Sequence, residues 1–284
     1  MAPTVSILTA TYNRREYLPS LIAMVRAQTY DLRKCEWVIM DDSPESNADL
    51  FQELAASNTV SVQYYHYQGE RLAIGAKRNM LNDRARGEYL ITFDDDDFHM
   101  PERISHSVMM LDKYKADFGG CSGINMYFSD DETVWEYKFQ AHGHFTNGTA
   151  IYRKSYLTEH RYKDDAKYAE EAGFTNNYEK AIVQLNPLKT ILVKCHPGNT
   201  VDKRFMRLFS PDMKATRLKL RDFIKDPKMR EIFKQLGRFN GEPIRVPPNV
   251  AKQIEASLQA ERASACTDES PRQDCSAKES GDQQ

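Results

Sequence analysis

A short apolar segment that runs into four consecutive aspartates constrains the fold of this chain more than any other feature. Residues 88–93 are mostly apolar or β-branched and contain no Gly or Pro, as expected of a buried strand. Residues 94–97 are all aspartate, and such carboxylates repel one another unless a cation or hydrogen-bond donors meet them. Oxygen ligands of this kind suit Mg²⁺ or Mn²⁺, which proteins usually hold with one or two carboxylates plus substrate phosphates. The alternative is an acidic surface loop that caps the helix after Pro101.

Predicted strands and helices alternate through most of the chain. The predicted strands are residues 5–10, 36–40, 60–67, 88–93 and 188–194, and the predicted helices are residues 17–26, 47–57, 72–86, 101–115 and 174–185. Short loops join them, which predicts an α/β fold with a Rossmann-like, mostly parallel central sheet and helices on both of its faces. Residues 116–140 alternate between apolar or aromatic residues and others, which predicts a small mixed or antiparallel region.

The length of 284 residues, with 40% hydrophobic residues, allows one large α/β domain plus appendages. We expect that domain to span residues 1–205, with a division between two halves near residue 105. A basic, C-terminal helical extension is predicted over residues 206–250, with its helical pattern interrupted at Pro227. Residues 251–284 are polar and are expected to be disordered.

Charge and cysteine content narrow the compartment and the partners. The net charge of −2 gives no general attraction to nucleic acid, so no nucleic-acid partner is expected. Cys35, Cys121 and Cys195 lie in apolar stretches and are expected to be buried thiols of a reducing compartment. No run reaches the roughly 18 apolar residues of a membrane span, and the N-terminus lacks the regions of a signal peptide. We therefore expect a cytoplasmic protein.

The basic segment 212–236 raises the question of a membrane surface. A basic amphipathic helix can lie on an anionic membrane, so this segment is a candidate for peripheral membrane contact. A solvated outer face of the protein is the alternative interpretation.

Polar residues recur where the predicted strands end. Thr11-Tyr12-Asn13 follows the first strand, Asp41-Asp42 follows the second, and the four aspartates follow the fourth. Single carboxylates at strand ends are also common turn formers. Because ligands of open α/β sheets bind beyond the carboxyl ends of the strands, we expect these three clusters to share one site.

Four motifs in this order and spacing resemble those of a family 2 glycosyltransferase with the GT-A fold. They are Thr11-Tyr12-Asn13-Arg14, Asp41-Asp42-Ser43, Gly75-Ala76-Lys77-Arg78-Asn79 and the aspartate run, residues 94–97. The resemblance covers roughly residues 4–105 and continues less closely to His196. It implies an inverting, metal-dependent glycosyltransferase (a hexosyl- or pentosyltransferase of glycan biosynthesis) with a DxD-type metal site. The donor would be a nucleotide-sugar, expected to be a UDP-sugar, and the acceptor a glycan or a lipid-linked or protein-linked hydroxyl.

The resemblance also implies roles for individual residues on the donor side, in residues 1–105. The residues expected to bind the nucleotide-sugar are Thr9, Thr11, Tyr12, Asp42, Arg71, Arg78, Asp94 and Asp95. The turn after the first strand would hold the base, and Asp42 rather than Asp41 would bond it. The two arginines would face the diphosphate, because a guanidinium matches phosphate geometry, and the two aspartates would meet the ribose. Lys203 and Arg204 are further candidates to close over the diphosphate.

The metal ligands and the catalytic base complete what the resemblance implies. Asp96 and the late His196 would bind Mn²⁺ or Mg²⁺. An acidic pair, commonly Glu-Asp in the family, supplies the base from the acceptor half, residues 106–205. Here that pair is Glu170-Glu171, so Glu171 is the expected base, with one more methylene than the family's aspartate. The alternatives for the base are Asp164 and Asp165, and an ordinary acidic bias at a helix start is the structural alternative.

Other functions are distinguished by motifs that the chain lacks. A nucleotidyltransferase would also use strand-end carboxylates and a metal, but it normally carries a Gly-rich loop after the first strand, as does an NAD-dependent dehydrogenase. Thr11-Tyr12-Asn13-Arg14 contains no Gly. A non-catalytic nucleotide- or sugar-binding module stays open as an alternative. Asn147-Gly148-Thr149 matches a glycosylation sequon, which has no meaning without secretion.

Overall fold

The computed structural model of the chain describes residues 4–138 and 143–246. The strands are β1 (Val5–Thr11), β2 (Cys35–Asp41), β3 (Ser61–His66), β4 (Tyr89–Thr92), β5 (Phe98–His99), β6 (Phe118–Gly120), β7 (Gly123–Phe128), β8 (Thr133–Lys138), β9 (Ile151–Arg153), β10 (Val183–Gln184), β11 (Ile191–Cys195) and β12 (Met213–Ala215). The α-helices are α1 (Leu18–Arg26), α2 (Gln52–Ala56), α3 (Ile74–Arg84), α4 (Arg103–Tyr114), α5 (Glu170–Phe174), α6 (Arg204–Phe209), α7 (Leu220–Phe223) and α8 (Pro227–Gln235).

Seven strands form the main sheet, in the order β10-β6-β9-β4-β1-β2-β3. β1 pairs in parallel with β2 and β4, and β2 pairs in parallel with β3. β9 runs antiparallel to both of its neighbours, β4 and β6. The prediction of a Rossmann-like, mostly parallel sheet is therefore confirmed.

Side-chain alternation along β1 explains why the sheet is covered on both faces. Val5 and Ile7 pack in one apolar cluster with Leu21 of α1 and with residues of α4. Leu8 points the other way and packs with Leu81 of α3 and with residues of α5. A strand buried on both faces reads as a near-continuous apolar run, which is how β1 appears in the sequence.

A second sheet, in the order β12-β8-β7-β11-β5, corresponds to the predicted mixed region. β7 and β8 are antiparallel, whereas β11 pairs in parallel with β7 and antiparallel with β5. β5 directly follows the aspartate run, and β11 ends one residue before His196. The pairing of β5 with β11 thus brings the aspartate run close to His196.

The predicted helix over residues 174–185 is wrong. The helix there is α5, which begins at Glu170 and ends at Phe174. Three consecutive residues just beyond it have positive φ values, namely Asn176 (49°), Asn177 (59°) and Tyr178 (60°). A right-handed helix cannot continue through such a run, since the left-handed conformation is costly for L-residues.

The C-terminal region differs from the predicted basic extension. The compact unit runs to Pro243 rather than ending near residue 205, and β12 joins the second sheet by pairing with β8. Phe223 and Phe233 are each 3% exposed and belong to the main apolar cluster, so burial joins this region to the rest of the unit. The single interrupted helix predicted over 212–236 is replaced by β12, α7 and α8. The predicted disordered segment, 251–284, lies outside the described residues.

Two smaller sequence expectations can be compared with the structure. Cys35, Cys121 and Cys195 are buried thiols, as predicted from their apolar surroundings. Among residues 4–138 and 143–246, the helices are all too short or too polar to cross a bilayer.

Candidate active site

A cleft of about 760 Å³ opens at the carboxyl ends of β1 and β4. Its wall is drawn from segments 10–14, 71–78, 94–97, 146–148, 167–171 and 193–203. The expected site residues that line it are Thr11, Tyr12, Arg71, Arg78, Asp94, Asp95, Asp96, Glu170 and Glu171. The structure thus brings together residues from both halves of the chain, at the sheet edge where parallel α/β proteins bind ligands.

The side of the cleft beside β1 is a cationic surface built on an aromatic ring. The guanidinium carbon of Arg71 lies 4.2 Å from the ring centroid of Tyr12, and the ammonium of Lys77 lies 5.8 Å from the same centroid. Lys77 donates to the Thr11 carbonyl at 3.0 Å and pairs with the carboxylate of Asp42. Because Asp42 balances the charge of Lys77, Arg71 on the Tyr12 ring gives this wall its positive charge toward an anionic ligand.

The two adjacent aspartates after β2 have different surroundings. The Asp41 carboxylate accepts hydrogen bonds from Asn47 Nδ2 at 2.8 Å and Tyr64 OH at 2.6 Å, among others, and so organises the turn after the strand. Burial acts to raise the pKa of Asp41, but these hydrogen bonds outweigh it and lower the pKa. The Asp42 side chain is fully buried against Lys77 and does not reach the cleft wall. Asp42 therefore contacts Lys77, which lines the cleft, but does not itself line the cleft.

The structure contradicts the expectation that Thr9 binds the nucleotide. Thr9 is fully buried and is not part of the cleft wall. Its hydroxyl donates to the Phe93 carbonyl at 2.9 Å and accepts from Trp37 Nε1 at 2.9 Å. The hydroxyl donates to a neighbouring chain segment rather than to the cleft, so the residue ties β1 to β2 and to the segment that leads into the aspartate run.

The outer members of the aspartate run are held by a guanidinium and by backbone. Arg78 Nη2 donates to Asp94 Oδ1 at 3.3 Å, and the Lys194 N–H donates to Asp97 Oδ1 at 3.0 Å. Gly148 covers this pair so closely that a Cβ there would lie 2.9 Å from Asp94 Oδ2 and 3.3 Å from Asp97 Oδ2. A side chain at position 148 would displace the carboxylates, so the approach requires glycine.

The pKa values of the inner members, Asp95 and Asp96, are shifted in opposite directions. His196 Nε2 lies 3.0 Å from Asp96 Oδ2, and Arg14 Nη2 lies 3.5 Å from the same oxygen. Burial opposes ionisation of Asp96, but the hydrogen bond with His196 and the charge of Arg14 hold its pKa below the usual range. Burial, followed by the charge of Asp96, raises the pKa of Asp95 to about 7.

The glutamate pair, Glu170 and Glu171, begins α5, four residues before the predicted helix start, and its two carboxylates also have different surroundings. Glu170 Oε1 accepts from Arg78 Nε at 2.8 Å and from Asn147 Nδ2 at 2.8 Å, whereas Glu171 Oε1 accepts from the Asn147 N–H at 3.1 Å. Burial alone would raise the pKa of Glu170, but Arg78 lowers it below its usual value. Burial and the charge of Glu170 raise the pKa of Glu171 to about 7. Ala169, at the N-cap, has a φ of 51°, an uncommon conformation for a residue other than glycine.

Asp96 and His196 have the donor chemistry of a divalent cation site. A carboxylate oxygen and an imidazole nitrogen suit Mn²⁺ or Mg²⁺, and ions of this kind commonly complete their shells with substrate phosphates and water. Within residues 4–138 and 143–246, no cluster of three or more His, Cys, Asp or Glu side chains has the arrangement of a metal site. Asp96 and His196 alone would leave the remaining ligands of such an ion to substrate phosphates and water. His196 is fully buried and reaches the site through its contact with Asp96.

Of the remaining candidates from the sequence, one lines the cleft and the others lie outside its wall. Lys203 lines the cleft. Arg204 is instead paired with Asp202 at 2.8 Å. Asp164 accepts from Asn79 Nδ2 at 2.6 Å and, like its exposed neighbour Asp165, is not part of the wall, so neither lies where a base would act.

Several residues of the site were not identified from the sequence. Arg14 and Lys77 lie within the quoted motifs, and their basic character at strand-end and helix-start positions was the available signal. Asn147 contacts both glutamates of the pair, and the sequence offered only a sequon there. Tyr17 lies 3.2 Å from His196 Nδ1, a contact between residues 179 positions apart that no local pattern indicates.

Comparison with known proteins places these motifs in one family. The family model described as "Glycosyl transferase family 2" matches residues 6–170. A putative glycosyltransferase of Bacillus subtilis, EpsH, is 24% identical over 264 residues, which cover 84% of this chain and 74% of EpsH. The UDP-Glc:alpha-D-GlcNAc-diphosphoundecaprenol beta-1,3-glucosyltransferase WfaP of Escherichia coli is 28% identical over 131 residues, covering 46% of this chain and 49% of WfaP.

Solved structures with the same fold include two that hold a nucleotide-sugar. S. aureus TarS 1-349 in complex with UDP-GlcNAc superposes with a TM-score of 0.58 at 20% identity, over 69% of this chain and 60% of that one. The mannosyltransferase PcManGT from Pyrobaculum calidifontis, in complex with GDP-Man and Mn²⁺, gives a TM-score of 0.56 at 15% identity, over 70% and 59%. The expectation of a GT-A fold is confirmed. The chain spans about half of WfaP and about 60% of the two solved chains.

Proposed function

The chain belongs to glycosyl transferase family 2, and from that premise we propose that it transfers a sugar from a UDP-sugar to an acceptor hydroxyl, with inversion and with a divalent cation. Family membership makes the chain a glycosyltransferase rather than a nucleotidyltransferase or a non-catalytic binding module. The nucleotide, the cation, the inversion and the residue roles are the proposed part.

One observation carries the proposal: a single cleft joins the cationic wall, the aspartate run and the glutamate pair. The first would hold a nucleoside diphosphate, the second a cation, and the third a base. Sugar transfer from a nucleotide-sugar needs these three parts, because a diphosphate must leave while a hydroxyl loses its proton.

Glu171 is the proposed base because its surroundings leave it able to accept a proton near neutral pH. Its pKa is raised to about 7 by burial and by Glu170, and an effective base has a pKa near the operating pH. Glu170 is held ionised by Arg78 and so acts on its neighbour as a fixed charge. Two adjacent carboxylates whose pKa values are pushed apart are typical of acid–base sites.

The proposed reaction is a direct displacement at the anomeric carbon. The acceptor oxygen forms a bond to that carbon while its proton passes to Glu171, and the bond to the diphosphate oxygen breaks with its electron pair. Attack from the face opposite to the diphosphate converts an α-linked donor into a β-linked product. Arg71, Lys77 and Lys203 line the cleft as cations that can stabilise the departing diphosphate.

Asp96 and His196 would hold the cation. When bound, a divalent ion neutralises charge that develops on the leaving diphosphate. PcManGT was solved with GDP-Man and Mn²⁺, which supports a cation in this fold. UDP is favoured as the nucleotide by the UDP-GlcNAc complex of TarS and by the UDP-Glc named for WfaP. The acceptor is proposed to be a glycan or a lipid-linked hydroxyl, since the name of WfaP specifies a diphosphoundecaprenol-linked sugar.

Replacing Glu171 with Gln tests the proposal. We expect turnover of the UDP-sugar that serves wild type to fall at least about a hundredfold, because general base catalysis contributes at least that much, while UDP affinity stays unchanged in calorimetry. Asp165→Asn is the matched control, since this exposed carboxylate lies outside the cleft. Wild-type turnover in Glu171→Gln would remove Glu171 as the base, and turnover lost in Asp165→Asn would reopen the alternative assignment.

A further inference from the structure

The side chain of His196 contacts the hydroxyl of a tyrosine that lies 179 positions away in sequence. Tyr17 is 3% exposed, and its hydroxyl lies 3.2 Å from His196 Nδ1. The opposite ring nitrogen, Nε2, lies 3.0 Å from Asp96 Oδ2. The imidazole is thus fixed at both nitrogens, with Nε2 on the side of the aspartate run and Nδ1 on the side of Tyr17.

Backbone from the C-terminal region closes over the same contact. Gly237 has a φ of +57°, and a Cβ at this position would overlap the Tyr17 hydroxyl and lie 2.8 Å from His196 Nδ1. Glycine is therefore favoured by the left-handed backbone and required by the close approach at this position. Gly241 also has a positive φ, +89°, but a Cβ on Gly241 would meet no atom of the described residues within 4 Å.

The segment that carries Gly237 is anchored by the second sheet. Phe233 of α8 packs against Phe98 and Tyr127, with ring centroids 6.0 and 5.9 Å away. The buried ammonium of Lys194 donates to the Phe233 carbonyl, and Ser129 Oγ donates to the Gly237 carbonyl at 3.4 Å. These contacts fix the turn after α8, which lies outside the residues matched by the family model.

We infer that Tyr17 and Gly237 are positioning residues that aim His196 Nε2 at the cation site beside Asp96. The inference rests on the cation of the proposed function. It makes the segment after α8 part of the site, although that segment contributes no ligand. Supporting partners of this kind fix the orientation and the tautomer of a metal-binding histidine.

The Tyr17 hydroxyl suits both states that His196 must adopt. With a cation on Nε2, the proton of the neutral ring lies on Nδ1, which then donates to the Tyr17 oxygen. Without a cation, Nε2–H can donate to Asp96 Oδ2, and Nδ1 then accepts from Tyr17 O–H. A hydroxyl serves in both arrangements because it is a donor and an acceptor. Phenylalanine would leave a buried ring nitrogen without a partner, which is costly.

The test measures Mn²⁺ binding to the full chain by electron paramagnetic resonance, in the presence of UDP and, in a parallel series, GDP. We expect Tyr17→Phe to weaken Mn²⁺ affinity about 10- to 100-fold, the usual effect of losing a partner behind a metal ligand. Tyr30→Phe is the matched control, because it removes the hydroxyl of a partly buried tyrosine that lies away from the cleft. It should bind Mn²⁺ as wild type does.

A glycine pair separates close approach from backbone strain. Gly237→Ala and Gly241→Ala both place a Cβ on a left-handed backbone, but only the former pushes on Tyr17 and His196. We expect Gly237→Ala to weaken Mn²⁺ affinity at least tenfold and Gly241→Ala to leave it unchanged. If Tyr17→Phe does not fold, the glycine pair decides the inference.

Pulsed electron paramagnetic resonance measures whether His196 coordinates Mn²⁺, which would not change if Tyr17 and Gly237 only stabilised the fold. Nitrogen modulation of bound Mn²⁺ reports imidazole coordination, so it should be present in wild type, absent in His196→Ala, and lost or weakened in Tyr17→Phe and Gly237→Ala. Wild-type affinity together with wild-type modulation in these two variants would overturn the inference and leave the cation site standing. Absence of nitrogen modulation in wild type would also overturn it, because His196 would then not be a ligand. Sugar transfer itself is judged separately by turnover and by Glu171→Gln.

Discussion

The aspartate run and the glutamate pair each place adjacent carboxylates in one cleft, but they differ in the donors that stabilise those carboxylates. The run meets several donors: Arg78 on Asp94, His196 and Arg14 on Asp96, and a backbone N–H on Asp97. The pair has a single cation among the described residues, which is again Arg78, on Glu170. One guanidinium therefore belongs to both regions, and it is 9% exposed.

The comparison shows that partners, rather than residue type, decide what each acid can do. In each region, one carboxylate has partners that hold its pKa low against burial, as in Asp96 and Glu170, whereas burial raises the pKa of Asp94 despite Arg78. The neighbour without such partners is buried beside a fixed negative charge, and its pKa rises to about 7, as in Asp95 and Glu171. In the proposed function, the run supplies an anion to the cation, and the pair supplies a proton acceptor to the acceptor hydroxyl.

Removing the shared guanidinium should break both regions at once. Arg78→Ala leaves Asp94 and Glu170 without their cation, and loss of one member of a buried ion pair costs about 3 to 5 kcal/mol. We expect the free energy of unfolding to fall by about 3 kcal/mol in urea melts, with turnover lost. Arg161→Ala is the control, since its pair with Asp83 is exposed and should contribute less than about 1 kcal/mol. Equal losses in the two variants would show that Arg78 does not bridge the regions.

Removing the Asp96 carboxylate should weaken cation binding without disturbing the glutamate pair. For Asp96→Asn we expect Mn²⁺-dependent UDP affinity to fall at least about a hundredfold in calorimetry, since losing a ligand costs more than losing the partner behind it. UDP affinity without Mn²⁺ should change much less. The exposed Asp117→Asn is the control. Unchanged Mn²⁺-dependent binding in Asp96→Asn would remove Asp96 from the metal site.

The two regions also differ in how far the sequence predicts them. The run could be placed because a buried strand reads as an apolar stretch, and the carboxyl ends of parallel strands meet at one edge. That reasoning located Thr11, Tyr12 and residues 94–97 in the cleft wall, whereas Asp41 and Asp42 do not line it. Thr9, which the family resemblance supplied, also lies outside the wall, because its hydroxyl bonds a neighbouring chain segment.

The pair was identified from the family resemblance, but the opposite pKa shifts of its two members were not predictable. The contacts that set the two pKa values come from Arg78 and Asn147, 92 and 23 residues away from Glu170. Side-chain contacts over such separations depend on packing, which no local pattern records. The same holds for the segment after α8, whose contact with His196 turned a predicted appendage into part of the compact unit.

A change in the pair should move the pH dependence of turnover. With Glu171 as base, kcat/KM should rise with pH, about tenfold per unit, until it levels off near the pKa of about 7. Glu170→Gln removes the negative charge that helps to raise the pKa of Glu171, so we expect the midpoint to move about one unit toward acid. The exposed Glu159→Gln should leave the midpoint unchanged. A shift toward alkali in Glu170→Gln would contradict the division of the pair.

The last expected effect is a gain in stability where activity is lost. The pKa of Glu171 is raised from an ordinary value of 4.5 to about 7 in the folded chain, so folding favours its protonated form. Wild-type stability should therefore decline between about pH 4.5 and 7 as the unfolded chain ionises first. Gln cannot ionise, so Glu171→Gln should unfold with a free energy up to about 3 kcal/mol higher than wild type at pH 8, as follows from the pKa difference between 4.5 and about 7, and equal to it at pH 4. A variant that is less stable at pH 8 would mean that a cation stabilises the Glu171 carboxylate, as Arg78 stabilises Glu170. The two regions would then no longer share the pattern of one carboxylate with a lowered pKa beside one with a raised pKa.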